Sequence, residues 1–194
     1  EEHPFGDEDR GFLESSLPNF FGSGYSTTKG FTDRLINLFD NVLNLRIRMP
    51  IVGEDNSRNF ITKITTYEKI CSIPNSMTVL PDMLPIVLDM MKQKIKGAMN
   101  LTNPGLITHN EILAMYKELV DSNFSWRNFS IEEQSKILDS DRSNNYLDTT
   151  HLESLYPVKN IKESVRDILK NYKRDFKYRQ KQITDFPNTP DTIL

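Results

Sequence analysis

Between residues 25 and 39 the apolar positions Phe31, Leu35, Leu38 and Phe39 recur at helical spacing, which predicts an amphipathic helix closed by Asp40-Asn41. Residues 42–51 (VLNLRIRMPI) then alternate apolar and polar, the period of a half-buried strand, and Pro50 is expected to stop it. Residues 58–67 read as a helix, 69–73 as a short strand and 81–94 as a helix with Pro81 suited to its first turn. Another short strand covers 98–101 and ends at the turn Asn103-Pro104-Gly105. Thr108 and Glu111 form a capping box for a helix running to about Val120, and Ser130 with Glu133 repeats that signature. Thr149 is expected to cap a short helix ending near Tyr156, and Asn160 to start a last one. Residues 1–24, rich in Gly, Pro, Asp and Glu, read as a loop approaching a site. Residues 174–194 are polar, carry Pro187 and Pro190, and read as a flexible tail.

Helices alternating with short strands predict an α/β layer architecture. The strands are too few for a complete doubly wound sheet, and no Gly-x-Gly-x-x-Gly or Gly-x-x-Gly-x-x-Gly occurs. Gly22-Ser-Gly24 precedes a helix but follows no predicted strand, so it fails as a dinucleotide fingerprint.

At 194 residues the chain can bury one sizeable core. A net charge of -3 gives no reason to expect nucleic acid or an acidic membrane as a partner. No apolar run is long enough to span a bilayer, and the start Glu-Glu-His-Pro has no signal-peptide pattern. The single cysteine, Cys71, excludes an internal disulfide and sits in a predicted strand as a core residue. These features together predict a cytoplasmic protein. The Asn-x-Ser/Thr triplets at Asn100, Asn123 and Asn128 then read as chance. His3, His109 and His151 lack paired ligand spacing, so no metal site is expected, and no Gly-x-Ser-x-Gly elbow supports a hydrolase. The basic, aromatic run 170–181 fits a solvated last helix and tail better than a nucleic-acid contact.

Tyr25 and Lys29 lie one turn apart on a predicted helix and share a face. An ammonium beside a phenol favours the phenolate, which makes such a pair a competent general acid for a carbonyl under reduction. The spacing alone is common on solvated helices. Here Tyr25 is the only tyrosine with a lysine four residues on, and a glycine-containing loop leads into it.

Tyr25-Ser-Thr-Thr-Lys29 resembles the Tyr-x-x-x-Lys signature of extended short-chain dehydrogenase/reductases. Arg142-Ser-Asn-Asn-Tyr-Leu-Asp148 followed by Leu152 is similar to a segment of the dTDP-4-dehydrorhamnose reductases. PNFFGSGYSTTK, LRIRMPI, RNFITKI, IPNSMTVL, LTNPGLITHNEIL and RSNNYLD resemble, in order, the bifunctional 3,5-epimerase/4-reductases that make nucleotide-linked rhamnose. The likeness runs from about His3 to about Val165.

The resemblance implies a partial Rossmann-like fold with a small substrate-binding subdomain. Residues 1–173 would be the C-terminal part of the reductase domain. The N-terminal dinucleotide-binding strands, the glycine loop, the catalytic Ser/Thr and an epimerisation cysteine would lie upstream of Glu1, so the chain alone is expected not to bind NADPH. It also implies reduction at C4 of a UDP- or dTDP-linked 4-keto-6-deoxyglucose, coupled to epimerisation at C3 and C5. NADPH would be the coenzyme, with NADH as the alternative, and a 4,6-dehydratase would act upstream. Tyr25 would supply the proton, Lys29 would bind coenzyme ribose, and Met49-Pro50 would lie by the nicotinamide. Lys63 would act as acid or base in epimerisation; a solvated helix lysine is its other reading. Arg142 would meet the diphosphate, a task suited to a bidentate guanidinium, and Asn59 and Thr78 would contact sugar. Phe31, Leu35 and Leu38 suit either the core or a homodimer. A noncatalytic regulatory subunit of the same fold is the alternative function.

Overall fold

A computed structural model describes residues 11–130, 133 and 145–174. Its elements in order are α1 (Gly24–Ile36), β1 (Leu43–Arg46), β2 (Pro50–Ile51), α2 (Phe60–Ile64), β3 (Lys69–Ile70) and β4 (Thr78–Val79). There follow α3 (Leu80–Gln93), β5 (Gly97–Asn100), α4 (His109–Leu119), β6 (Arg127–Asn128), α5 (Thr150–Leu155) and α6 (Ile161–Lys170). The strands form three parallel pairs, β1 with β5, β2 with β4 and β3 with β6. Parallel partners need long crossovers, so the predicted α/β alternation and the parallel pairing have one cause.

The alternation in β1 sorts its side chains between two helical layers. Leu43 and Leu45 pack with Met99 and Leu101 against Met83, Ile86, Val87 and Met90 of α3. Asn44 and Arg46 take the opposite face. There both donate to the Asp33 carboxylate of α1, so the polar face of the strand carries a second helix instead of solvent. A larger core joins Ile51, Val79, Phe60, Ile61 and Ile64 to Ile112, Leu113 and Tyr116 of α4 and to Ile161, Val165 and Leu169 of α6. The α6 helix is clamped at its surface as well. Lys159 and Lys170 hydrogen-bond the Asp167 carboxylate and hold its pKa down to about 2.

Several expectations are corrected. Residues 42–51 are two strands, because Met49 has φ 39 and turns the chain. Pro50 does not stop a strand; it opens β2, a first position where its missing N–H is tolerated. The helix expected over 58–67 contracts to Phe60–Ile64, where the Thr65 hydroxyl donates to the Ile61 carbonyl. The first helix ends at Ile36, and Leu38 and Phe39 fold back as turns on Leu35 and Ile36. Gly22-Ser-Gly24 proves to be a helix start: Ser23 and Ser26 cap each other's backbone N–H. Thr149 precedes its helix as predicted, but its hydroxyl donates to Glu153, and Asp148 caps the backbone of Thr150. The two-residue strands β4 and β6 show no alternation long enough to read. Both capping boxes, at Thr108 with Glu111 and at Ser130 with Glu133, are formed.

Arg142, the tail beyond Arg174 with most of its basic run, and residues 1–10 lie outside the described residues. Among the described residues no helix is long and apolar enough to cross a membrane.

Asn59 joins several of these elements. It is buried, its Oδ1 accepts from Val52 and Ile61 N–H, and its Nδ2 donates to the carbonyls of Val52 and Glu54 and to the Tyr172 hydroxyl. Alanine there removes a helix cap and orphans buried backbone groups. Asn59→Ala is expected to lower unfolding free energy by about 2–3 kcal/mol, read from the urea midpoint. A change below about 0.5 kcal/mol would contradict this role.

Candidate active site

In parallel α/β sheets ligands gather at the carboxyl ends of the strands. Here Arg48 and Met49 follow β1, and Leu101 to Asn103 follow β5. Tyr25, in the first turn of α1, stands 63% exposed within electrostatic range of Arg48. Lys29 places its ammonium over the Tyr25 ring, 5.8 Å from the centroid, as the four-residue spacing predicts. Burial pushes the Arg48 guanidinium down to about 10, opposed by the negative charge Tyr25 carries when ionised, so it stays charged at neutral pH. Lys29 is thus the cation that meets the exposed Tyr25 ring, with Arg48 in electrostatic range.

Arg48 is held by its neighbours. Its backbone N–H donates to the Thr78 hydroxyl at 3.0 Å, and Nη2 donates to Asn75 Oδ1 at 2.8 Å. The same Asn75 oxygen accepts from the Asn145 N–H at 3.0 Å, and Ser76 Oγ accepts from the Leu147 N–H at 2.9 Å. The IPNSMTVL segment thus anchors residues 145–147, the described end of the stretch that carries Arg142. Residues 11–16 lie beside it as a strap. Phe12 donates to the Tyr146 carbonyl and accepts from Asp148, while Asn100 Nδ2 donates to the Phe12 and Asp148 carbonyls. Only glycine fits at Gly11, where φ is 86 and a Cβ would lie 2.8 Å from the Tyr146 carbonyl oxygen. Burial, then Asp148 and Glu153, raise the pKa of Tyr146 and keep its phenol protonated.

The other expected site residues divide in two. Met49 is partly buried against the larger core, beside Pro50. Lys63 is partly exposed in the last turn of α2, with no ion pair among the described residues. Asn59 and Thr78 are buried with their polar atoms engaged inside the protein: Thr78 Oγ1 donates to the Leu101 carbonyl and accepts from Arg48. Sequence reasoning missed Arg48, Asn75 and Asn103. Asn103 accepts from the Val79 N–H just before α3 and donates to Asp82 and Ser164, although its sequence context marks only a turn. A signal for Arg48 existed: it is the third polar residue, after Asn44 and Arg46, on the polar beat of VLNLRIRMPI.

No protein-family model matches the chain. Its sequence is 54% identical over 171 residues to the L780 protein of Acanthamoeba polyphaga mimivirus, covering 87% of this chain and 59% of that one. The crystal structure of L780, a UDP-rhamnose synthase, superposes with a TM-score of 0.80 over 86% of this chain. An Arabidopsis thaliana bifunctional dTDP-4-dehydrorhamnose 3,5-epimerase/reductase is 50% identical over 84% of this chain and 54% of its own length. The dTDP-4-dehydrorhamnose reductase of Bacillus anthracis, solved in complex with NADP, shares the fold at 15% identity, with a TM-score of 0.62 over 84% of this chain and 60% of that one. The parallel pairs and their crossovers are thus part of a Rossmann-like α/β fold. The chain spans a little over half the length of these two curated relatives, and it is homologous to that part of the nucleotide-rhamnose synthases and 4-dehydrorhamnose reductases.

Proposed function

We propose that this chain carries the catalytic helix and the substrate side of an enzyme that epimerises C3 and C5 of a nucleotide-linked 4-keto-6-deoxyhexose and reduces its C4 ketone, giving UDP- or dTDP-L-rhamnose. The observation that carries the reading is the exposed Tyr25–Lys29 pair at the carboxyl end of β1, on a chain 54% identical to a UDP-rhamnose synthase. The named relatives are enzymes, which does not favour a noncatalytic subunit.

A nicotinamide coenzyme fits the residues present. Tyr25 and Lys29 offer exposed polar groups on one helix face, and Met49 turns the chain just past the carboxyl end of β1. NADPH is the form we assign, in keeping with the NADP held by the Bacillus anthracis reductase. When bound, the coenzyme supplies the hydride that C4 requires.

Tyr25 donates its phenolic proton to the C4 oxygen as that oxygen gains charge. The Lys29 ammonium and the Arg48 guanidinium stabilise the phenolate left behind. In epimerisation the C4 carbonyl acidifies the protons on C3 and C5, and Lys63 is the group assigned to move them. Arg142 pairs with the diphosphate. Asn59 and Thr78 serve from behind by holding backbone and Arg48 in place. A 4,6-dehydratase supplies the keto sugar. The apolar surface of Phe31, Leu35 and Leu38 on and after α1 suits contact with further polypeptide, either a second copy or the dinucleotide-binding region that longer relatives have room for.

In protein that includes a dinucleotide-binding region, Tyr25→Phe is expected to slow NADPH oxidation by the keto sugar by about 10²–10⁴-fold, with nucleotide-sugar affinity within a few-fold. Undiminished reduction would refute the role of Tyr25. Lys63→Ala is expected to cut solvent deuterium incorporation at C3 or C5 by about 10²-fold or more while sparing binding. Unaltered exchange would remove Lys63 from the mechanism.

A further inference from the structure

We infer that Asp33 and Arg46 are positioning residues: their ion pair sets the rotation of α1 about its axis and so places the Tyr25 hydroxyl. The inference rests on the reading of Tyr25 as proton donor. Arg46 meets Asp33 as a fork, Nε to Oδ1 and Nη2 to Oδ2, both at 2.8 Å. The two side chains are only 16% and 14% exposed. Asn44 Nδ2 adds a third donor to Oδ1 at 2.8 Å. A planar bidentate pair accepts one relative orientation, which a point charge does not enforce.

The helix has little else to fix it among the described residues. Gly30 is its one buried residue, against Pro18 and Phe21 in the segment between the strap and the helix. The strap is itself tied to the same arginine: Arg46 donates to the carbonyls of Leu13 and Ser16, each at 3.2 Å. Arg34 completes the attachment by donating to the Pro18 carbonyl at 2.9 Å and lying over the Phe21 ring. One guanidinium on β1 therefore binds both the helix and the strap.

The lever arm makes this consequential. Asp33 lies one turn beyond Lys29, and a tyrosine hydroxyl stands roughly 8–9 Å from its helix axis, so a rotation of about 10° carries it about 1.5 Å. A displacement of that size in a reacting group can cost 10²-fold in rate.

Two variants separate positioning from simple folding. Asp33→Asn keeps the shape but turns an amide toward Arg46, and Arg46→Lys keeps the charge but removes the fork. Amide hydrogen exchange, which needs no activity, is expected to quicken about tenfold or more across residues 27–36 in both variants, with α4 and α6 unchanged. In steady-state assays kcat is expected to fall about 10–100-fold with KM for the nucleotide sugar within twofold, less for Arg46→Lys than for Asp33→Asn. Unchanged exchange in α1 overturns the inference, as does faster exchange with full kcat, or kcat loss matched by a proportional rise in KM. The assays use protein that includes a dinucleotide-binding region; if that protein without either substitution turns over no keto sugar, the reductase reading fails, and the exchange result still decides whether the pair holds the helix.

Discussion

The pairing of Leu43–Arg46 with Gly97–Asn100 is the constraint on which the rest depends. Because the two strands run parallel, the chain between them must cross the sheet and return. That crossover contains β2, α2, β3, β4 and α3. It also leaves the residues after β1 and β5, among them Arg48, Met49 and Asn103, at the same end, with Arg48 in electrostatic range of Tyr25. The pleat then assigns the layers. Apolar Leu43 and Leu45 draw α3 to one face, and polar Asn44 and Arg46 draw α1 to the other.

The two layers are held by different physics. The α3 side is methionine- and leucine-rich packing, which tolerates small shifts in shape. The α1 side is hydrogen bonds and an ion pair, which are directional. A helix that must present a hydroxyl to a reacting carbonyl gains from the second kind of attachment. Elsewhere buried asparagines do comparable work. Asn59, Asn75, Asn100 and Asn103 are all inaccessible to solvent or nearly so, and each joins segments far apart in sequence. Their backbone partners would otherwise be buried without partners, so these side chains define loop shape at the site.

What the sequence reveals follows from the range of the forces involved. The α1, α3, α4 and α6 helices and the strands β1 and β5 are legible because local periodicity and caps mark them, as with Thr108 and Glu111. The break at Met49 and the strands β2, β4 and β6 are not, because two-residue strands form only when a distant partner supplies the ladder. At the site, Tyr25 and Lys29 are readable as a one-turn pair. Asn59 and Thr78 carry motif residues whose side chains are turned inward, which no spacing discloses. Arg48 and Asn75 depend on a contact between residues 27 apart. The Asp33–Arg46 pair is hidden for the same reason: the alternation in β1 shows a polar face, but only the fold shows that a helix covers it.

The central claim is that the carboxyl end of β1 and the start of α1 present Tyr25 to a sugar ketone. The most direct measurement is a crystal structure of protein that includes a dinucleotide-binding region, with oxidised coenzyme and a nucleotide-linked 4-keto or 4-hydroxy deoxyhexose. The account predicts the Tyr25 hydroxyl within about 2.6–3.2 Å of the sugar's C4 oxygen, with Lys29 reaching the coenzyme ribose. A sugar whose C4 oxygen faces another side chain, with Tyr25 turned to solvent, would contradict it.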